Sequence, residues 1–449
     1  MTSNQKKLCE ALDETSFVCV SHVLDDLSSK EDVPVTPHFY RVEQVCDYFY
    51  AYDETEYTIE TIEGIADVLH AIKKNETERV VVEEEWKETY ELIDLFETFV
   101  HEIDSIFKQK DQLSSSYDFY ETIPSSFIQT MRSIQRVMLE RRYAPYQRSS
   151  EWSKETSPPR PSLFYRGHAD VNYLLAPNVF RNKNHLENEH RMHRDIQIRN
   201  AAQFIKGAGR LELTTTMQHY GLPTRLLDIS SSPLIALYFA VEDESMHTKD
   251  GELLFLEIPT EWMKSFDSDT IEILLALSML SPVEKLELAH EALHILKQFG
   301  EQSIQQLKMS PHATEHELDE KLQLLIQTFN EKRIVKKLNN EVEKEHGIYL
   351  GEIHPFDMFA IAPVQPRQTN ERIIRQQGAF IAYGLVSPRV AIEWSERFLH
   401  ARDQKTVRFV IPSQSKRSIL QQLEHLGINR TTVYPELDKI AQHTALRYG

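Results

Sequence analysis

Leu163-Phe-Tyr-Arg-Gly-His168, followed about fifty residues on by Thr214-Thr-Thr-Met-Gln-His-Tyr-Gly-Leu-Pro-Thr-Arg-Leu-Leu-Asp228, decides how this chain is read. The two stretches set Arg166, Arg225, His168, His219 and Asp228 beside short apolar runs, where a strand should enter or leave a core. A guanidinium or carboxylate buried without a partner costs several kcal/mol. The expected arrangement is therefore a paired, hydrogen-bonded polar cluster at the mouth of a pocket.

Outward from that cluster, the length of 449 residues suggests two or three domains, and 41% hydrophobic with 27% charged residues is the balance of a globular protein. No apolar run approaches the roughly 18 to 20 residues that span a bilayer. The opening Met1-Thr-Ser-Asn-Gln-Lys-Lys lacks a signal peptide's apolar segment, so a cytoplasmic protein without membrane contact is expected. Cys9, Cys19 and Cys46 include no Cys-x-x-Cys pair, which excludes a disulfide framework and argues against a thiolate zinc site. Charge is uneven: residues 1–110 carry 26 Asp and Glu against 10 Lys and Arg, a balance of −16, while the rest of the chain carries −3. Such an acidic end repels nucleic acid. It suits a basic protein partner, or serves simply as a solubilising surface.

Along the chain, Phe39 to Tyr50 spaces aromatics close to a helical period, and Arg79-Val-Val-Val82 is β-branched and strand-like. From Glu83 to Lys108, Trp86, Tyr90, Ile93, Phe96, Phe99, Val100, Ile103 and Phe107 recur every three or four residues, the pattern of an amphipathic helix with a core-facing stripe. A second helix is read over Pro124 to Tyr143, and the prolines of Glu151-Trp-Ser-Lys-Glu-Thr-Ser-Pro-Pro-Arg-Pro161 mark a linker. Beyond it, a strand is expected to end at Arg166-Gly167, a polar helix to cover His185 to Lys206, and Leu211 to Thr216 to be strand or helix end. Pro233 to Ala240 reads as a helix capped by Ser230-Ser-Ser232, and Gly251 to Pro259 as a strand. From Glu261 to about Glu345 glycine nearly disappears and Leu and Ile recur at helical spacing. Strands resume at Met358 to Pro363, Ala379 to Tyr383 and Val407 to Ile411, and a helix follows over Ser415 to Leu426. The expected fold class is α+β: an acidic, largely helical N-terminal domain over 1–111, a helical connector and Pro-rich linker over 112–160, and a C-terminal mixed β-sheet domain over 161–449 with an all-helical insertion at about 261–346.

Phe164-Tyr-Arg-Gly167, Gln218 to Asp228, Pro233 to Ala240, Arg372-Ile-Ile-Arg-Gln-Gln-Gly-Ala-Phe380 and Val433-Tyr-Pro-Glu-Leu-Asp438, in that order, resemble the bacterial FRG domain, named for its Phe/Tyr-Arg-Gly motif. The resemblance runs from about 160 to 445, covers none of residues 1–110, and suggests a setting in bacterial conflict or phage defence. A second resemblance is to the arginine-type ADP-ribosyltransferase fold, which sets an Arg-Gly at the end of one strand, a Ser/Thr-rich strand next, then a small-residue helix and a catalytic glutamate on a late strand. Tyr165-Arg166-Gly167, Thr214-Thr215-Thr216, Ala236-Leu-Tyr-Phe-Ala240 and Glu371-Arg-Ile-Ile-Arg-Gln-Gln-Gly378 follow in that order. Where such transferases often carry a glutamate pair or a Gln-x-Glu, this chain has Glu371 followed by Gln376 and Gln377.

This second resemblance implies an enzyme that consumes a nucleotide, with NAD as the candidate substrate. Breaking the bond between nicotinamide and ribose passes through an oxocarbenium-like transition state that a carboxylate stabilises, and Glu371 is the residue the resemblance offers. Arg166 would grip a phosphate or ribose oxygen and Gly167 would let the backbone approach, with Tyr165, Thr215, Thr216, Arg372 and Gln377 completing the nucleotide-binding set. The residues themselves add His219 as acid or base and Tyr220 as a stacking ring. His168 stands as a nucleotide contact or a loop-solvating side chain, and Arg225 as a nucleotide contact or half of a local brace with Asp228. No metal is expected, since His185, His190 and His193 share one helical segment without a His-Glu-x-x-His pattern. Arg191, Arg194, Arg199, Lys206 and Arg210 read as a solvated helix face rather than a nucleic-acid surface. The alternative function is a non-catalytic module that binds a nucleotide or a protein, with a structural Arg/Asp cluster.

Overall fold

The run Gly-Glu-Leu-Leu-Phe-Leu-Glu-Ile over Gly251–Ile258 alternates as a strand must, with Leu254, Leu256 and Ile258 fully buried on one face and Leu253, Phe255 and Glu257 half-buried on the other. Each such buried aliphatic side chain contributes about 1.5–3 kcal/mol, and the main sheet is assembled on this strand. The computed structural model describes residues 17–19, 39–41, 76–110, 116–136, 161–201, 209–309, 315–346, 351–402, 405–436, 441 and 445. The Pro-rich stretch over 151–160, residues 137–143 of the second expected helix, Lys206 and most of the acidic segment lie outside these. The chain divides into two units, 1–98 with 300–318 and 99–299 with 319–449.

In the first unit, β1 (Phe17–Cys19) pairs antiparallel with β2 (Phe39–Arg41), so Phe39 opens a strand rather than a helix. Helix α1 (Glu76–Lys110) takes in the β-branched Val80, Val81 and Val82, which the sequence suggests as a strand. Propensity is a weak prior, and the long amphipathic pattern that follows overrides it. Among the described residues no helix is long and apolar enough to cross a membrane.

In the second unit the end of α1, α2 (Ser116–Glu121) and α3 (residues 125–136) bury an aromatic seam, with Phe99 stacked on Phe127 at 5.5 Å and Phe127 edge-on to Phe359 at 5.6 Å. Strands β3 (Ser162–His168), β4 (Leu226–Ser230), β5 (Gly251–Ile258), β6 (Lys264–Ser265), β7 (Ile361–Gln365), β8 (Gly378–Tyr383) and β11 (Arg408–Ile411) form one sheet in the order β11-β5-β3-β4-β8-β7-β6. Neighbours are antiparallel except β6 and β7, so the sheet is mixed. The pair β9 (Ala401–Arg402) and β10 (Lys405–Thr406) forms a separate hairpin.

Strand β3 runs one residue past the expected end at Arg166-Gly167. It runs on to His168 because β5 offers ladder partners along its whole length, from Ser162 opposite Ile258 to His168 opposite Glu252. With β4 it pairs at one position, Tyr165 opposite Ser230. Beyond that point the two strands part, and this split positions the site. Strand β4 sets Arg225 immediately before its start and Asp228 at its middle: Leu226, Leu227 and Ile229 are buried, and β8 pairs with all five of its residues.

Helix α4 (Lys183–Arg199) precedes α5 (Arg210–His219), which holds the threonine run. The Thr215 and Thr216 hydroxyls satisfy themselves on the carbonyls of Leu211 and Glu212, both at 2.8 Å, so the run is helical rather than a strand. Gly221 ends α5 at φ +88°: its N–H bonds to the Gln218 carbonyl at 2.9 Å and the Leu222 N–H to that of Met217 at 3.0 Å, a left-handed C-terminal cap that favours glycine. Helix α6 (Pro233–Val241) starts as its sequence suggests, with the Ser232 hydroxyl accepting the Ile235 N–H and Pro233 in the first turn. It lies so close over β3 that a Cβ on Gly167 would come within 1.8 Å of the Ala236 carbonyl oxygen. The helix, not a ligand, demands glycine there.

The insertion comprises α7 (Asp269–Ala276), α8 (Pro282–Met309), α9 (Glu315–Asn330) and α10 (Arg333–His346), its first residues giving the short strand β6 instead of helix. It also absorbs part of the basic run. Arg210 is buried and its Nη2 donates to the Glu341 carbonyl at 2.7 Å, so it lies off the solvated face, while Arg194 stays exposed with its Nη2 donating to the Met279 carbonyl at 2.8 Å. Beyond the insertion come α11 (Glu371–Gln376), α12 (Pro388–Glu396), α13 (Ser413–His425) and α14 (Arg430–Val433).

Candidate ligand-binding site

The split between β3 and β4 opens a cavity of about 260 Å³. Two arginines face it from different parts of the chain. Arg166 comes from β3: its Nε donates to Nε2 of His168 at 3.0 Å, and its Nη1 to the backbone carbonyl of Asp228 at 2.5 Å, occupying the place where a β3–β4 ladder bond would otherwise form. A guanidinium only donates, so His168 Nε2 is the acceptor and its Nδ1 carries the proton, which is donated to Glu252 at 2.9 Å. Register explains this relay, because His168 and Glu252 are direct cross-strand partners. Burial holds His168 at about 4 despite the Glu252 bond, so it is a neutral positioning group behind Arg166. Arg166 itself has its pKa lowered by burial, with the Asp228 carboxylate opposing; that carboxylate's Oδ2 stands 3.9 Å from Nη1.

Arg372 comes from α11. Its guanidinium lies 4.8 Å over the Tyr434 ring, and its Nη1 bonds to the His219 carbonyl and to Glu436 Oε1, each at 3.2 Å. Its Nε is buried without a hydrogen-bond partner, as is Glu436 Oε2. Burial first, and Arg372 second, hold the His219 imidazole at about 4, so it is neutral at neutral pH. Between the arginines stands Asp228, whose Oδ1 accepts from Gln218 Nε2 at 2.7 Å; Gln218 is in turn fixed by the Thr224 hydroxyl. Tyr165, Phe239, Phe380 and Tyr434 supply apolar wall.

Tyr165, Arg166, Gly167, His219 and Arg372 thus meet around one cavity as the sequence suggests. The other candidates do not line it. Glu371 is 72% exposed and pairs with Arg375 at 3.1 Å. The Asn370 cap starts a helix here, so Arg372, Ile373 and Gln376 turn to the cavity while Glu371 and Arg375 share the outer face. Tyr220, 60% exposed, lies at the C-terminal cap of α5. Thr215 borders a separate pocket of about 120 Å³, and Thr216 bonds within its helix. Gln377 is the rim residue that ends α11 in the left-handed region, φ 46°, its carbonyl accepting the Ser231 N–H at 3.0 Å. Of the lining groups, sequence reasoning missed Gln218, Gln376 and Tyr434, and it saw Asp228 as a partner for both Arg166 and Arg225, of which Arg166 alone stands beside it. The Val433-Tyr-Pro-Glu motif was the available signal for Tyr434 and Glu436.

Arg225 does not brace Asp228. Its Nε lies 2.8–2.9 Å from the carboxylate oxygens of Glu189, and its Nη1 donates to Gly384 at 2.7 Å. Lys285 Nζ reaches the same carboxylate at 2.6 Å, and all three side chains are at most 4% exposed. Burial pushes the Glu189 carboxyl up, but Arg225 and Lys285 outweigh it and hold the group at about 2. His193 is buried here too, 3.3 Å from the Ser278 hydroxyl. The described residues hold no group of three or more His, Cys, Asp or Glu side chains placed to bind a metal.

The family model for the FRG domain matches residues 161–249, the segment that supplies Arg166, Gln218, His219, Asp228 and the β3–β4 split. No curated protein and no solved structure matches the chain.

Proposed function

With residues 161–249 an FRG domain, we propose that its cavity binds a nucleotide by its phosphate, between Arg166 and Arg372, with NAD as the candidate ligand. One observation carries this reading: two arginines from segments some two hundred residues apart in sequence converge on one cavity, and Arg166 has only neutral groups as hydrogen-bond partners. Such a guanidinium, with the Asp228 carboxylate 3.9 Å off rather than hydrogen-bonded to it, keeps donors for an anion. Asp228 and Gln218 offer acceptors to ribose hydroxyls.

The reaction proposed is ADP-ribosyltransferase-like. Nicotinamide leaves with the electron pair of its bond to ribose, and water or an acceptor hydroxyl adds to the sugar carbon and loses its proton. Asp228 is the carboxylate beside that carbon in place of Glu371, because it lines the cavity and Glu371 does not. The helical setting of Thr214, Thr215 and Thr216 and the outward face of Glu371 favour the second reading, a module that binds the nucleotide without consuming it.

Incubation with NAD, following nicotinamide release and melting temperature together, tests both. Turnover lost in Asp228→Asn, with the NAD-induced rise in Tm retained, supports catalysis; binding without turnover in the wild type supports the module. NAD that is neither consumed nor stabilising overturns the proposal.

A further inference from the structure

We infer that Tyr165, Phe255 and Phe409 form the base subsite of that ligand, a row of rings on which a planar heteroaromatic base stacks while its phosphate sits in the cavity. The inference rests on the phosphate reading above and extends it across the sheet.

Register places the rings on one face. Tyr165 stands directly opposite Phe255 and Phe409 opposite Leu253, so all three side chains project to the side of Gly167 and α6. Ring centroids are 5.0 Å apart for Tyr165 and Phe255 and 4.6 Å for Phe255 and Phe409. The first pair is edge-to-face and the second tilted, so no two rings stack face to face and the outward faces can receive a further planar ring. Tyr165 belongs both to this row and to the cavity wall, which makes the two surfaces continuous.

Helix α6 lies over the row's neighbour on β3. The Ala236 oxygen and Ala240 nitrogen sit over Gly167, two residues further along β3. At the other end Leu163 is 47% and Phe409 46% exposed. Core packing would cover these side chains. The cavity's size points the same way: about 260 Å³ is below the roughly 300–1,000 Å³ of a pocket that encloses a small-molecule ligand. A sugar phosphate suits that volume, and the base is assigned to the adjoining rings.

The test is calorimetric titration of the full chain with ribose 5-phosphate, AMP and nicotinamide mononucleotide, against wild type, Phe409→Ala and Phe409→Tyr. Phe409 is on an outer strand and contributes little to the core, so the alanine variant is expected to fold; Phe409→Tyr restores the ring. AMP or nicotinamide mononucleotide should bind the wild type about ten-fold or more tighter than ribose 5-phosphate, within the roughly 5- to 150-fold that base–aromatic stacking spans. Phe409→Ala should remove most of that gain and Phe409→Tyr should keep it, with ribose 5-phosphate unchanged across the three proteins. The mononucleotide with the larger gain identifies the base. If ribose 5-phosphate binds and neither base adds affinity, or Phe409→Ala leaves the gain intact, the base subsite is wrong and the phosphate reading stands. If the mononucleotides bind in a ring-dependent way while Arg166→Gln has no effect, the phosphate reading fails instead. If none of the three binds, both are overturned.

Discussion

Two buried arginine clusters lie in the same unit and answer burial in opposite ways. Arg225 is matched at hydrogen-bond distance by the Glu189 carboxylate, reinforced by Lys285 and closed off from solvent. Arg166 meets an imidazole and a backbone carbonyl, has its nearest carboxylate at 3.9 Å, and opens into a cavity shared with Arg372. A cation neutralised in place holds a fold together. A cation held by neutral acceptors beside an opening has charge left for something that arrives from outside.

The sealed cluster should give the largest response to substitution. Glu189→Gln removes the carboxylate shared by two buried cations, and the expected loss is about 3–5 kcal/mol, the range for breaking a buried ion pair, measured by chemical unfolding. A loss below about 1 kcal/mol, the value of a surface pair, would erase the distinction between the clusters.

Acid should weaken both, through histidines buried neutral in each. His168 beside Arg166 and His193 beside Glu189 are held at about 4, with burial the first cause, and His219 and His354 are held there likewise. Their folded pKa lies below the ordinary value near 6.5, so between those limits the unfolded chain binds protons that the folded chain refuses. Stability is complete above about pH 6.5 and falls as pH drops toward 4. Asp357, pushed up to about 6 by burial, opposes this, since the folded state keeps a proton there; Glu189, at about 2, stays charged throughout. A net loss of stability is expected from pH 7 to 4.5, the four histidines together outweighing the single Asp357, read from urea unfolding at stepped pH, with His168→Gln and His193→Gln each flattening the curve. A profile level down to pH 4.5 would contradict it.

A smaller effect sharpens the contrast at the cavity rim. Gln377 is the one non-glycine residue with positive φ among those described, and left-handed backbone costs a side-chain-bearing residue about 1–2 kcal/mol. Gln377→Gly should therefore raise Tm slightly. An unchanged or lower Tm would show that the Ser231 contacts of its side chain outweigh the strain.

The sequence made legible whatever depends on local pattern. The alternation of β5, the capped start of α6 with its Pro233, and the stripe of α1 at Ile93, Phe96, Phe99 and Ile103 all form as their spacing suggests. Arg166 and His219 could be nominated because charged groups beside apolar runs demand partners, and Arg372 because the family resemblance runs through it. What stayed hidden depends on long-range pairing. Leu226–Ser230 is a strand because β8 receives it, and Arg225 finds Glu189 rather than Asp228 because α4 packs against it; no local rule shows either. Glu371 was misplaced by analogy: a strand was expected where Asn370 caps a helix, and the rotation of one residue turns a carboxylate from the cavity to solvent.

The most direct test is a calorimetric titration of NAD into wild type and Arg166→Gln, with the unfolding free energy of each measured alongside. Saturable binding in the wild type, weakened at least ten-fold in Arg166→Gln while that variant stays far more stable than Glu189→Gln, is the predicted result. No binding to the wild type, equal affinity in the two proteins, or an Arg166→Gln variant as unstable as Glu189→Gln would contradict it.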